Sequence, residues 1–234
     1  MMKQYIAYII MFVLCAPGIG HGITFELPRQ GNVVGYYATA TVKKGTTLLE
    51  VGQAYDIGVQ ELLKANPKVG LMTKLPDNYK VKVPAEFRLP SAPWTGIILN
   101  LAKKRIYYFH PDGIHVSTYP VGVGKQGWAT PQGQTQIVAK EKNPAWRPPA
   151  SLQREAAGRG KSLPLVVPPG PRNPLGQYAM RLGFKGAILI HGTNQPSSVG
   201  LNSSHGCIRM YPASIKELFG MTELNTPVRI VNEP

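Results

Sequence analysis

Between residues 39 and 84 the spacing of apolar positions changes twice. Thr39–Val42 (TATV) and Tyr79–Pro84 (YKVKVP) alternate apolar and polar side chains, the two-residue period of a strand with one covered face. Between them Leu48, Val51 and Tyr55 fall on one face of a helix. Thr47 precedes that helix and Glu50 follows three residues on, a capping box in which hydroxyl and carboxylate each satisfy a free backbone N–H. Gly58 breaks the run. Val59–Ala65 predicts a second short helix, stopped by Asn66-Pro67 because proline has no N–H to continue it. The predicted order is strand, helix, helix, strand.

Residues 85–94 (AEFRLPSAPW) are punctuated by proline and predict a linker. Residues 95–232 then read mainly as strands. Ile97–Leu101 and Ile106–Phe109 flank Ala102–Arg105 (AKKR), a hairpin with its turn. Pro111–Gly113 (PDG) turns the chain into Ile114–Tyr119. Further strands are expected at Gln134–Lys140, Tyr178–Leu182, Ala187–His191 and Pro227–Val231, with one helix entered through Pro212 and running through Phe219. Asn143–Pro174 keeps no apolar period and is interrupted by proline, the character of a lid or binding loop; its Trp146, like Tyr178, is expected to pack rather than react. The fold class is α+β: a mainly antiparallel β domain, sandwich or barrel, with helices tucked against it, preceded by the small strand-helix-helix-strand module.

Composition agrees with many turns and short strands: 22 prolines and 25 glycines in 234 residues. Residues 1–22 carry Lys3, an apolar run from Tyr5 to Ala16 and small residues after it, the plan of a secretory signal peptide. A membrane partner is implied only if that segment is retained. Cys15 within it has Leu14 before it, where lipoprotein processing needs a small residue. The net charge of +14 attracts polyanions. The cations are spread along the chain with no run longer than Lys103–Arg105, and export removes nucleic acid as a partner, so an anionic wall polymer fits best.

Loss of the leader leaves Cys207 as the one thiol, and an odd cysteine in an exported chain needs a reason. It stands in Leu201–Pro212 (LNSSHGCIRMYP), two residues after His205 and two before Arg209. A thiol has an ordinary pKa near 8.5 and reacts only with a base or a cation at hand. His191 ends the apolar strand Ala187–Ile190 and can be returned to the cysteine by the intervening loop. His205 shares the face of Cys207 if the segment is extended, and Gly206 allows a tight turn with backbone amides free to hold an oxyanion.

These residues resemble two known families. Gly45-Thr46-Thr47-Leu48 and Asn66-Pro67 resemble the LysM module, which implies glycan binding on peptidoglycan for residues 39–84. His191-Gly192 and Ser204-His205-Gly206-Cys207-Ile208-Arg209 resemble the signature of the L,D-transpeptidase catalytic domain, over roughly Thr95–Val231. That resemblance implies Cys207 as nucleophile, His191 as general base, and His205 beside them as a further catalytic group. It also implies Gly192, Ser204 and Gly206 as orienting and oxyanion residues and Arg209 as the holder of a substrate carboxylate. No metal or cofactor is implied. The implied substrate is the peptidoglycan stem peptide in the periplasm, cleaved between diaminopimelate and D-alanine. The acyl acceptor is left open among another stem, an outer-membrane lipoprotein lysine, a D-amino acid and water. Two other readings stay open: a zinc hydrolase using His191, His205 and Cys207, and a non-catalytic wall-binding protein.

Overall fold

The computed structural model describes residues 22–234, so the expected leader, apart from Gly22, lies outside the described residues. The strands are β1 (Ile23–Glu26), β2 (Val33–Val42), β3 (Tyr79–Arg88), β4 (Gly96–Asn100), β5 (Arg105–Phe109), β6 (His115–Pro120), β7 (Val123–Gly124), β8 (Gly133–Lys142), β9 (Tyr178–Leu182), β10 (Leu189–His191), β11 (Asn202–Ser204), β12 (Ile208–Arg209) and β13 (Pro227–Val231). The helices are α1 (Leu48–Ala54), α2 (Val59–Ala65), α3 (Ala150–Ala157) and α4 (Pro212–Met221).

The N-terminal module is the antiparallel ribbon β2–β3 with α1 and α2 between its strands. The capping box forms: Thr47 Oγ1 accepts from the Glu50 N–H at 3.3 Å, and the Glu50 carboxylate accepts from the Thr47 N–H at 2.7 Å. The ribbon is longer than the sequence pattern suggests. It starts at Val33 and runs to Arg88, pairing Val33 with Arg88, so the first part of the expected linker is strand. Ala85–Arg88 were obscured by Pro84, which an edge strand tolerates because the lost N–H can face outward.

The larger body is one nine-stranded sheet ordered β1-β6-β5-β4-β13-β8-β9-β10-β12, flanked by the two-stranded pair β11–β7. It is mainly antiparallel, with parallel pairs at β4–β13, β10–β12 and β7–β11. β4 and β5 are buried on both faces, and the two-residue period divides them between two cores. Ile97, Leu99, Ile106 and Tyr108 face the main core with Ile190, Ile208 and Met210, and α4 closes that core through Ile215 and Leu218. Ile98, Tyr107 and Phe109 face the second core, where Leu48, Val51, Leu62, Val81 and Val83 of the N-terminal module cover them. The module is therefore a layer of the fold and not a bead on a tether.

Polar contacts lock that layer in place. Arg105, expected in a turn, is instead the first residue of β5 and is buried. Its guanidinium donates to the Asp56 carbonyl and the Glu61 carboxylate, each at 3.1 Å, and lies 3.7 Å over the Phe87 ring. Tyr211 donates to the Ile57 carbonyl at 3.0 Å, and Ser214 donates to the Asp56 carboxylate at 2.5 Å. The Val59 N–H, at the start of α2, donates to the Val199 carbonyl at 3.0 Å. Gly200 makes this approach feasible: its φ is +89°, and a Cβ there would lie 2.6 Å from the Val59 nitrogen.

Asp56 gives this interface a pH signature. Burial pushes its carboxyl up to about 7, against the opposing pull of Ser214 and Arg105. A folded-state pKa above the unfolded value means that the native state holds the extra proton. The stabilisation is complete below the unfolded pKa and is lost as pH rises through about 7. Asp56→Asn, which mimics the protonated carboxyl, is expected to gain stability relative to the parent between pH 5 and pH 8, a trend read from urea midpoints at the two pH values.

Candidate active site

The register of the β9–β10–β12 edge explains which side chains meet. His191 of β10 pairs with Arg209 of β12 and with Ala179 of β9, so these three side chains leave the same face of the sheet. Cys207, two residues before Arg209, shares that face. Leu189 and Arg181 join by the same parity, as do Ala139 and Glu141 of β8. All of them line one cleft of about 700 Å³, and Ala139 and Ala179 keep its floor low. The alternate positions Met180, Leu182, Ile190, Ile208 and Met210 fall on the opposite face, inside the main core. One sheet edge thus carries a reactive face and a packing face.

The wall of the cleft comes from the segment expected as a lid. Trp146, Arg147, Pro149, Ser151 and Leu152 line it. The segment is not wholly irregular, because Ala150–Ala157 forms the helix α3. Its ends are tied together: Trp146 and Val167 exchange backbone hydrogen bonds at 2.9 and 2.8 Å, and buried Asn173 donates to the Pro144 carbonyl at 2.8 Å. α3 escaped the pattern because it is only eight residues long, buries none of them fully and stands among prolines.

His191 is buried, with Nδ1 at 2.5 Å from the Gly192 carbonyl. A ring nitrogen facing a carbonyl carries the proton, which leaves Nε2 as a lone pair. Burial lowers the His191 pKa to about 4, with the charge of Arg209 adding to the effect, so the imidazole is neutral at neutral pH. Cys207 is a free, half-buried thiol that donates to the Ala187 carbonyl at 3.4 Å. Burial raises its pKa, while the Leu189 N–H and Arg209 pull it down. The resting pair is a neutral thiol and a neutral imidazole in one cleft. The Arg209 guanidinium has no hydrogen-bond or ion-pair partner among the described residues, although its backbone is fixed by paired bonds to Gly122.

The nucleophile loop is braced from below. Ser204, buried, donates its hydroxyl to the Cys207 carbonyl at 2.5 Å and accepts from the Gly206 N–H at 3.2 Å. Thr130 donates to the Gly206 carbonyl at 3.0 Å. Gly206 has φ of +101°, a conformation that side chains rarely adopt. Its N–H is spent on Ser204, so it is not a free oxyanion donor; the Cys207 N–H has no backbone acceptor among the described residues. His205 lines the cleft; its Nε2 meets the Glu155 carboxylate of α3 at 2.9 Å, and its ring stands edge-on to Trp128 at 4.9 Å. No group of three His, Cys, Asp or Glu residues among the described residues could hold a metal ion. Glu155, Lys125, Arg181 and Asn173 escaped the sequence reading, because nothing in a single chain links a solvated-looking Glu155 to a histidine fifty residues away.

The L,D-transpeptidase catalytic domain family (YkuD) matches residues 95–230. The chain is 38% identical over 217 residues to the protein named "Probable L,D-transpeptidase ErfK/SrfK" of Escherichia coli strain K12, covering 91% of this chain and 69% of that protein. It is 36% identical over 217 residues to "Probable L,D-transpeptidase YbiS" of the same strain, covering 91% and 70%. Among solved structures it is similar to the NMR structure of the catalytic domain from E. faecium L,D-transpeptidase, with a TM-score of 0.44 and 27% identity over 58% of this chain and 95% of that one. With that match over its sheet domain and that identity over nearly its whole length, the chain belongs to the L,D-transpeptidase family.

Proposed function

We propose that Cys207 is the nucleophile of an acyl transfer on peptidoglycan stem peptides. The observation that carries this reading is the shared face of the sheet: thiol, neutral imidazole and unpartnered guanidinium converge on one cleft. The Cys207 sulfur adds to the carbonyl joining diaminopimelate to D-alanine as its proton passes to His191 Nε2. The Cys207 N–H receives the developing oxyanion. His191 then gives the proton to the departing amine, the C–N bond breaks, D-alanine leaves and a thioester remains. An acceptor amine attacks that thioester, the C–S bond breaks and the thiol is restored. Gly192 fixes the base's tautomer, Ser204 and Gly206 shape the loop, and Arg209 holds a substrate carboxylate through its bidentate fork.

Arg209 favours thiolate over thiol and so partly offsets the burial that raises the Cys207 pKa. The same charge disfavours imidazolium, so the resting pair stays neutral and the proton moves to His191 only as the sulfur attacks the carbonyl. The lid segment excludes water, which favours amine acceptors over hydrolysis. His205 positions the lid through Glu155 and is not itself a proton carrier.

The remaining assignments follow from that chemistry. Residues 1–22 export the chain to the periplasm, where stems are found. Residues 39–84 bind wall glycan as a LysM-like module, and their firm seat on the sheet holds the glycan at a set distance from Cys207. Among the described residues no helix is long and apolar enough to cross a membrane. A stem amine, a lipoprotein lysine and a D-amino acid each leave a different product. Incubation of purified sacculi with the enzyme, followed by muropeptide analysis, is expected to show loss of tetrapeptide stems with release of D-alanine. Unchanged stems would refute the proposal.

A further inference from the structure

The contact between α3 and the nucleophile loop has a chemistry that the reaction above leaves unused. α3 buries no side chain fully. A polar contact ties it to the nucleophile loop: the Glu155 carboxylate meets His205 Nε2 at 2.9 Å and Lys125 Nζ at 3.3 Å, and Arg159 of the same segment joins at 2.7 Å. Both inner partners belong to the frame of the nucleophile. His205 is two residues from Cys207 and lines the cleft, and the Lys125 N–H donates to the Ser204 carbonyl at 3.0 Å. Trp128 stands edge-on to His205 and Thr130 grips the Gly206 carbonyl, so the donor pair is held on a braced loop. A carboxylate is therefore already bound on the loop frame that carries Cys207, and it is the protein's own.

We infer that Lys125 and His205 form a second carboxylate subsite for the stem peptide, occupied by Glu155 when the lid rests and vacated to substrate when α3 lifts. This rests on the acyl-transfer reading and deepens it. The stem presents carboxylates on both sides of the cleaved bond, one on the free centre of diaminopimelate and one on the terminal D-alanine. The structure offers two seats for an anion, the free Arg209 guanidinium and the Lys125–His205 pair, whose His205 lines the cleft. Glu155 competes with one substrate carboxylate for the second seat. The lowered pKa of Glu155, caused first by the His205 hydrogen bond and also by Lys125, agrees with a seat built for an anion.

The test is steady-state kinetics of the full exported chain on three synthetic stems: both carboxylates free, the diaminopimelate carboxylate amidated, and the D-alanine carboxylate amidated. Glu155→Gln removes the internal rival, so KM for the free stem is expected to fall by roughly threefold to tenfold with kcat changed by no more than about twofold. Lys125→Gln is expected to raise that KM by a similar factor, and Lys125→Arg to restore it. Whichever amidated stem is insensitive to Lys125→Gln identifies the carboxylate that binds there. If Glu155→Gln shifts KM equally for all three stems, or Lys125→Gln shifts none, Glu155 is a lid fastener only and the subsite is refuted. Absence of turnover of every stem by the parent enzyme would instead fault the acyl-transfer reading.

Discussion

Cys207→Ser is expected to lower release of D-alanine from tetrapeptide stems by about 10⁴-fold or more while leaving the fold intact. The substitution keeps volume and donor, and the Cys207 carbonyl stays bonded to Ser204, so the loop has no reason to move. What changes is the acidity of the nucleophile. His191, whose pKa is lowered to about 4, is too weak a base to take a proton from an alcohol, which gives up its proton far less readily than a thiol. Muropeptide analysis with the variant checks this. Activity within tenfold of the parent would mean that the sulfur is not the attacking atom (about 1.4 kcal/mol of barrier).

His191→Ala carries the second large effect, a loss of about 10²–10⁴-fold in kcat/KM, the usual worth of a positioned base. The pH profile of the parent separates this role from a structural one. The base works as neutral imidazole, and burial holds that form down to about pH 4. The acid limb of kcat/KM is therefore expected near pH 4, well below an ordinary histidine. The alkaline limb is expected above the ordinary thiol range, because burial raises Cys207. Folding must be followed in parallel. His191 has a folded pKa below its unfolded value, so the unfolded chain binds more protons between pH 6.5 and 4 and stability falls as pH drops through that window. A limb near pH 6.5 in folded protein would show a solvated imidazole and overturn this picture of the resting site.

The reactive face was legible because its residues are chemically unusual and lie at strand parity. Cys207 stands two residues from both His205 and Arg209, and His191 ends an apolar strand, so the chemistry of the residue types drew attention to them before any contact was known. Elements with a strong period were legible for the same reason: α2 and β9 fall where the pattern puts them. Three kinds of information were not local. The short strands β7, β11 and β12 are defined by their partners and carry too few residues for a period. Arg105 looked like a turn cation because its partners Asp56 and Glu61 lie more than forty residues away. Gly206 suggested a free amide, which the fold spends on Ser204, and the Glu155 partner of His205 lies fifty residues away in the chain.

The N-terminal module offers the same lesson about energetics. Its apolar face was visible as half of a two-core arrangement only once Ile98, Tyr107 and Phe109 were seen to need cover. β4 and β5 read as continuous apolar runs, and such runs mean burial on both faces. The buried Asp56–Ser214 hydrogen bond and the Arg105–Glu61 ion pair, whose carboxylate is partly exposed, then select one docking geometry.

The most direct measurement is intact-protein mass spectrometry after exposure to a carbapenem, a β-lactam whose ring carbonyl stands in for the stem amide. One covalent adduct is expected, mapping on digestion to the peptide that contains Cys207 and absent from Cys207→Ser. An unmodified mass with the thiol still accessible to alkylation, or an adduct that survives Cys207→Ser, would contradict acyl transfer through this sulfur.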